Sequence, residues 1–212
     1  IVGSGPFGRV LVSKLEDFGV GSEGIAFEES RPTTLKTRII AHNQQIVRYD
    51  HENTEPLKKE SAKKILSFIA EHSSEADALL ISDYSKGVIT RDLAREAIRL
   101  ALDAGLLVTV DPKMKNIRYF NGATIIKLNR HIAAEITGFS LFDEVDVTKA
   151  GEQLLKKLEC KAILITREEE GMSLFERGKK PHHIQTLARQ VYDVTGAGDT
   201  VISVLTLSLA SK

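Results

Sequence analysis

The 212 residues include one cysteine, Cys160. No internal disulfide can form, so the stapled framework of small secreted domains is excluded. A lone thiol fits a reducing compartment, and the expected location is the cytoplasm. Net charge is also missing, because 29 basic residues cancel 29 acidic ones. No bulk field therefore draws in nucleic acid or an anionic membrane, and neither is expected as a partner. No run reaches the ~18 apolar residues that a membrane-spanning helix needs. Internal repeats, low-complexity tracts, long linkers and a recognisable signal peptide are lacking too. What is present is 42% hydrophobic and 27% charged, an ordinary soluble composition with enough length for one sizeable core.

Short apolar runs alternate with helical periods. The spacing predicts helices over 7–18, 60–72, 91–104 and 148–159. Leu11, Leu15 and Phe18 form the stripe of the first, and Ala62, Ile65, Leu66 and Ile69 that of the second. Strands are predicted over 78–82, 106–110, 123–127 and 161–166. Continuous apolar strands between helices indicate an α/β fold with a mostly parallel sheet covered on both faces. Asp83, Asp111, Asn129 and Arg167 follow strand ends. Ligands bind beyond the carboxyl ends of strands in such sheets, so these residues point to a site.

Residues 33–50 depart from the pattern, reading as two strands around a turn at His42-Asn43. A two-residue turn would put Lys36, Arg38 and Ile40 on one face with Gln45, Val47 and Tyr49. Such a hairpin is either a lid or pairing surface, or a plain edge hairpin with solvated basic residues.

The sharpest local signal is Asp193-Val194-Thr195-Gly196-Ala197-Gly198-Asp199-Thr200, followed by an almost wholly apolar helix over 201–210 that is expected to be buried. Gly196, Ala197 and Gly198 let backbone N–H groups converge on an anion, as phosphoryl transfer requires. Asp199 at the helix start could take the proton of an attacking hydroxyl. Alone, Gly-x-Gly-Asp would favour a tight turn with a helix cap; the eight-residue string reverses that and favours the catalytic reading.

That string resembles the C-terminal signature of the ribokinase-like, or PfkB, carbohydrate kinases. Thr33-Thr34-Leu35-Lys36-Thr37-Arg38, Asn43-Gln44-Gln45, Arg48-Tyr49-Asp50, Ser82-Asp83-Tyr84-Ser85-Lys86-Gly87, Asp111-Pro112-Lys113, and Thr166-Arg167 with Gly171-Met172-Ser173-Leu174 follow in family order. Together they are similar to the kinase domain of the bifunctional heptose kinase–adenylyltransferases. The resemblance implies a three-layer ribokinase-like fold with a protruding β-hairpin lid, often used to build a homodimer. It implies ATP with Mg²⁺ and phosphorylation of D-glycero-β-D-manno-heptose 7-phosphate at the anomeric hydroxyl, on the route to ADP-heptose and lipopolysaccharide. Asp199 would be the base and Gly196–Gly198 the anion hole. Asn129, Arg130, His131, Ile132, Thr166, Arg167 and Gly171 would line the ATP site. Lys36, Arg38, Asp83, Lys86 and Lys113 would bind the phosphosugar, the two hairpin residues through its 7-phosphate.

The family's usual Pro-Asn-x-x-Glu reads here Leu128-Asn129-Arg130-His131-Ile132. Asn129 is kept, but the glutamate that helps place Mg²⁺ is Ile132; Glu135 lies one turn on. No side chain is assigned as a metal ligand. The family's first strand and the segment after Ala210 have no counterpart, so the expectation is an incomplete kinase domain that binds ATP poorly and shows little or no kinase activity by itself. His182-His183 lack a third ligand at metal-site spacing and are expected in a strand beside a turn at 177–180. Glu168-Glu169-Glu170 reads as a solvated loop. Two rival functions remain, a PfkB kinase for another phosphosugar and a non-catalytic dimerising fragment.

Overall fold

The chain folds as two units, Ile1–Glu71 with Ser85–Leu93, and His72–Tyr84 with Ala94–Lys212. The computed structural model describes residues 1–42, 44–187 and 196–211; Asn43 and the Asp193-Val194-Thr195 part of the signature lie outside the described residues.

In the first unit, α1 (Pro6–Asp17) starts with proline in its first turn, where the missing N–H costs nothing. Its expected apolar stripe is only partly covered: Gly8 is buried and Leu15 half-buried, while Leu11 and Phe18 are 43% and 83% exposed. Strands β1 (Leu35–Ala41) and β2 (Gln44–His51) form an antiparallel hairpin. Ile40 pairs with Gln45 as a two-residue turn requires, but the register then shifts and Ile39 pairs with Val47. Ile46 is the extra residue of a β-bulge, which reverses the faces of everything beyond it. Lys36 therefore faces Asp50 and Arg38 faces Arg48. Val47 and Tyr49 lie instead with Thr37 and Ile39, which corrects the facing expected from the turn alone.

Helix α2 (Lys59–His72) follows, with its predicted apolar face half-buried. Beside it Arg31 is buried, 5% exposed, and its guanidinium donates to the carbonyls of Asn53 (2.8 Å), Lys86 (3.1 Å) and Glu55 (2.5 Å). A buried charge needs such partners. Glu28 completes the set, 3.6 Å from Arg31 Nε and accepting from Ser61 Oγ at 2.8 Å. Burial alone would raise the Glu28 carboxyl, but the Ser61 bond and the Arg31 charge outweigh it and hold the group below the ordinary range. This arginine thus fastens the chain below the hairpin to the Lys86 loop.

The second unit contains β3 (Ala78–Ser82), α3 (Arg91–Asp103, beginning in the first unit), β4 (Leu107–Asp111), β5 (Ile125–Asn129), α4 (Arg130–Thr137), α5 (Glu144–Leu158), β6 (Ala162–Thr166), β7 (Met172–Glu176), β8 (His182–Ile184) and α6 (Ala197–Ala210). The sheet order is β3-β4-β5-β6-β7-β8, parallel from β3 to β6 and antiparallel for β7 and β8. Val108, Val110, Ile126, Leu128, Ile163 and Ile165 are all 0% exposed, each worth roughly 1.5–3 kcal/mol of burial.

Alternation along the strands separates the layers. Thr109 meets Thr206 of α6 through a 2.6 Å hydroxyl contact, so Thr109, Asp111 and their β5 neighbours Ile125, Lys127 and Asn129 share the α6 face. Helix α5 packs on β6 and β7 from the other side, where Gly151 approaches the Phe175 ring. This is the expected helix–sheet–helix layering. Helix α6 departs from expectation: Ile202 and Thr206 are buried, but Val204 and Leu207 are 56% and 69% exposed, because only the stripe on β3 and β4 is covered. Among the described residues, no helix is long and apolar enough to cross a membrane.

Candidate active site

The carboxyl ends of β3, β4, β5 and β6 bring together most of the expected site residues in the second unit. Gly196, with φ 80°, is the N-cap of α6, and Asp199 lies in the first turn. Among the described residues no side chain caps this helix start. Thr200 N–H is the first bonded back, to the Gly196 carbonyl at 2.9 Å, so the amides before it have no intrahelical partner. Asp199 Oδ1 accepts the Tyr84 hydroxyl at 2.8 Å.

Below this turn lies a residue that the motifs do not mark. Lys127, 5% exposed, donates to Asp111 Oδ2 at 2.7 Å. A Cβ at Gly198 would stand 2.7 Å from Lys127 Nζ and 3.8 Å from Asp111 Oδ2. A side chain at position 198 would therefore have to displace the Lys127 ammonium, which lies next to the Gly198 backbone. The available signal was a lysine inside the apolar run Ile125-Ile126-Lys127-Leu128, since a charge in a buried strand demands a partner.

Asp83 is 3% exposed; it accepts from Asn116 Nδ2 at 2.9 Å, and its N–H donates to the Asp111 carbonyl at 3.0 Å. Lys113 lies over the Tyr84 ring, 5.7 Å from its centre. The Tyr84 phenol is pushed up, first by burial and then by its bond to Asp199, with a Ser82 hydrogen bond acting the other way.

On the same sheet end, Asn129 pairs with Thr166. Asn129 Oδ1 accepts the Ile132 N–H at 2.8 Å and caps α4. Arg130 donates to the Arg167 carbonyl at 2.8 Å and pairs with Glu170 at 3.0 Å. Arg167, 5% exposed, pairs with the same carboxylate at 3.3 Å. Glu170 is therefore a counter-ion for two arginines, not a merely solvated loop residue. Gly171, at φ 86°, sits where a Cβ would collide with the Ile184 carbonyl. An open cleft runs beside this cluster, lined by Phe142, Glu144, Arg167, Glu169, Glu170 and His183. Two of the seven residues expected at ATP stand apart: His131 is 86% exposed, and the Ile132 side chain is in the core at 8%. Glu135 is half-exposed beside His131, 3.9 Å away.

Lys36, Arg38 and Lys86 belong to the first unit. Lys36 pairs with Asp50 at 3.1 Å and approaches Glu52 at 4.0 Å, and Lys86 pairs with Glu52. The Lys36 hydrogen bond is the main cause that holds the Asp50 carboxyl below its ordinary range. Arg38 has no ion pair among the described residues and stands opposite Arg48, which is bonded to Asp50 at 3.0 Å.

Residues 1–212 match the pfkB family carbohydrate kinases. The chain belongs to that family. Among pfkB relatives it is 41% identical to the bifunctional protein HldE of Geobacter sulfurreducens over 210 residues, covering 99% of this chain and 43% of that protein. To HldE of Citrifermentans bemidjiense it is 43% identical, with the same coverage of each. The chain thus spans less than half the length of these relatives. Solved structures share the fold. Phosphofructokinase-2 from Escherichia coli in complex with potassium gives a TM-score of 0.76 at 19% identity over 99% of this chain and 67% of that one. Arabidopsis thaliana ribokinase complexed with ribose and ATP gives 0.74 at 18%, with equal coverage. The fold is ribokinase-like.

Proposed function

We propose that this chain is the phosphoryl-transfer part of an ATP-dependent sugar kinase, and that its acceptor is the anomeric hydroxyl of D-glycero-β-D-manno-heptose 7-phosphate. The observation that carries the reading is Asp199 in the first turn of α6, beside amides without intrahelical partners and above the buried Lys127–Asp111 pair. Identity of about 40% to HldE proteins supports the heptose branch.

The acceptor oxygen forms a bond to the γ-phosphorus, the bond to the bridging oxygen of ADP breaks, and the hydroxyl proton passes to Asp199. The amides at Gly196–Gly198 hold the transferred oxygens, and Lys127 adds positive charge where negative charge develops. Asn129, Arg130, Thr166, Arg167 and Gly171 border the nucleotide. Mg²⁺ in such sites is held by one or two carboxylates plus the substrate phosphates. Asp111, at the end of β4 and beside the Gly198 turn, would be the carboxylate to hold such an ion, in exchange for its Lys127 partner; Ile132, with its side chain in the core, supplies none.

Lys36 and Arg38 of the hairpin would bind the 7-phosphate by charge-assisted hydrogen bonds; Arg38, which has no ion pair among the described residues, is the freer of the two, since Lys36 is matched by Asp50. The hairpin's other face, with Ile39, Val47 and Tyr49 exposed at 53%, 47% and 66%, pairs with a second copy to make a homodimer. A kinase for another phosphosugar is favoured by one observation: Lys36 and Lys86 are already matched by Asp50 and Glu52. An ADP-release assay across heptose 7-phosphate, fructose 6-phosphate and ribose 5-phosphate separates the two, heptose 7-phosphate being the expected best acceptor.

A further inference from the structure

Tyr84 lies inside the Asp83–Gly87 loop string, but neither the family resemblance nor the proposed mechanism gives it a part. Its backbone is anchored at the sheet end, because the preceding Asp83 is buried, bonded to Asn116 at 2.9 Å, and tied by its N–H to the Asp111 carbonyl at 3.0 Å. Its ring carries the Lys113 ammonium on one face at 5.7 Å. Its hydroxyl reaches across 115 positions of sequence to Asp199 Oδ1 at 2.8 Å. A half-exposed tyrosine at 49% would satisfy its hydroxyl with water at no cost, yet here it donates to one carboxylate oxygen while Ser82 engages it from its own strand end.

We propose that Tyr84 is a positioning residue for Asp199, fixing the plane of the carboxylate through Oδ1 so that Oδ2 meets the acceptor hydroxyl. The inference rests on the reading of Asp199 as the base. An aspartate at a helix start can rotate about χ1 and χ2, and each misaligned rotamer removes the proton acceptor from the line of attack. A single charge-assisted bond from a tethered phenol selects one rotamer before substrate arrives. The Lys113 contact holds the ring, so a residue expected to bind substrate also holds the residue that orients the base.

The test compares wild type, Tyr84→Phe and Asp199→Asn in the protein as its gene encodes it. Phenylalanine keeps the ring beneath Lys113 and removes only the hydroxyl. The expected result is a kcat lower by roughly 10–100-fold, with both KM values within about twofold. A purely structural role would instead change KM or yield. Unchanged kcat in Tyr84→Phe beside a dead Asp199→Asn would overturn the Tyr84 proposal and leave the base in place. If wild type shows no turnover with any phosphosugar, the function reading fails. The phenol then still decides the Tyr84 contact, as it does if Tyr84→Phe does not fold. Ultraviolet titration of the four tyrosines should show one high-pH ionisation that moves down in Asp199→Asn, and an unmoved titration overturns the contact.

Discussion

Gly198→Ala is the substitution whose consequences the geometry states most fully. The new Cβ would stand 2.7 Å from Lys127 Nζ, closer than real Cβ contacts allow, so one of them must move. A lysine end is normally flexible, but this one is held at 2.7 Å by Asp111 and its side chain is 6% exposed. Three magnitudes compete. Overpacking costs about 1–3 kcal/mol. Full loss of a buried ion pair would cost about 3–5 kcal/mol. Alanine in place of glycine within a helix returns about 1 kcal/mol. Displacement without full loss of the pair leaves a net destabilisation of about 1–2 kcal/mol, or roughly 2–4 °C in Tm per kcal/mol for a chain of this size. The catalytic loss should be much larger, on the order of 10²–10³ in kcat, because a transition-state donor and the ammonium behind it both shift. The assay is a double-mutant cycle with Lys127→Met, reading Tm and kcat. The clash requires that Gly198→Ala destabilise the wild-type background but not the Lys127→Met background. Equal effects of Gly198→Ala in both backgrounds, or a Gly198→Ala single variant with wild-type kcat, would refute the packing argument.

Two further outcomes follow from the structure. Sedimentation at micromolar concentration should show a dimer that Tyr49→Lys or Ile39→Asp converts to monomer; a wild-type monomer would leave the hairpin with only a covering role. Burial pushes the Cys160 thiol up to about 11, and the side chain is 0% exposed. The protonated form therefore persists as pH rises, and iodoacetamide at about pH 8 should modify Cys160 only after unfolding; rapid labelling of folded protein would contradict this.

The order of strands and helices was readable because buried parallel strands leave unbroken apolar runs, as at Ala78–Ser82 and Ala162–Thr166. Boundaries moved where a turn residue was also apolar: β5 begins at Ile125 rather than 123 because Ala123 still closes the turn, its N–H donating to the Phe120 carbonyl at 3.2 Å. The family strings located Asp199 and the Asn129–Thr166 end of the sheet. Other features need three dimensions. The bulge at Ile46 has no glycine or proline to mark it, so the facing of the hairpin was misjudged. Ile132 in the core shows that the missing glutamate was replaced by a packing residue, and half-exposed Glu135 is paired with His131 rather than turned inward. Lys127 was signalled by a charge inside an apolar strand, but its place beside the α6 turn, like the part of Tyr84, became visible only when positions distant in sequence met there.

Everything proposed for the site depends on Asp199 serving as the base of a heptose 7-phosphate kinase. A coupled ADP-release assay of wild type and Asp199→Asn, in the protein as its gene encodes it, with ATP, Mg²⁺ and heptose 7-phosphate, run beside calorimetric ATP binding, isolates that role. Wild type should release ADP only when the acceptor is present. The asparagine variant should lose on the order of 10²–10⁴ in rate while its ATP affinity stays nearly unchanged. Near-normal turnover by Asp199→Asn would remove the aspartate from the chemistry.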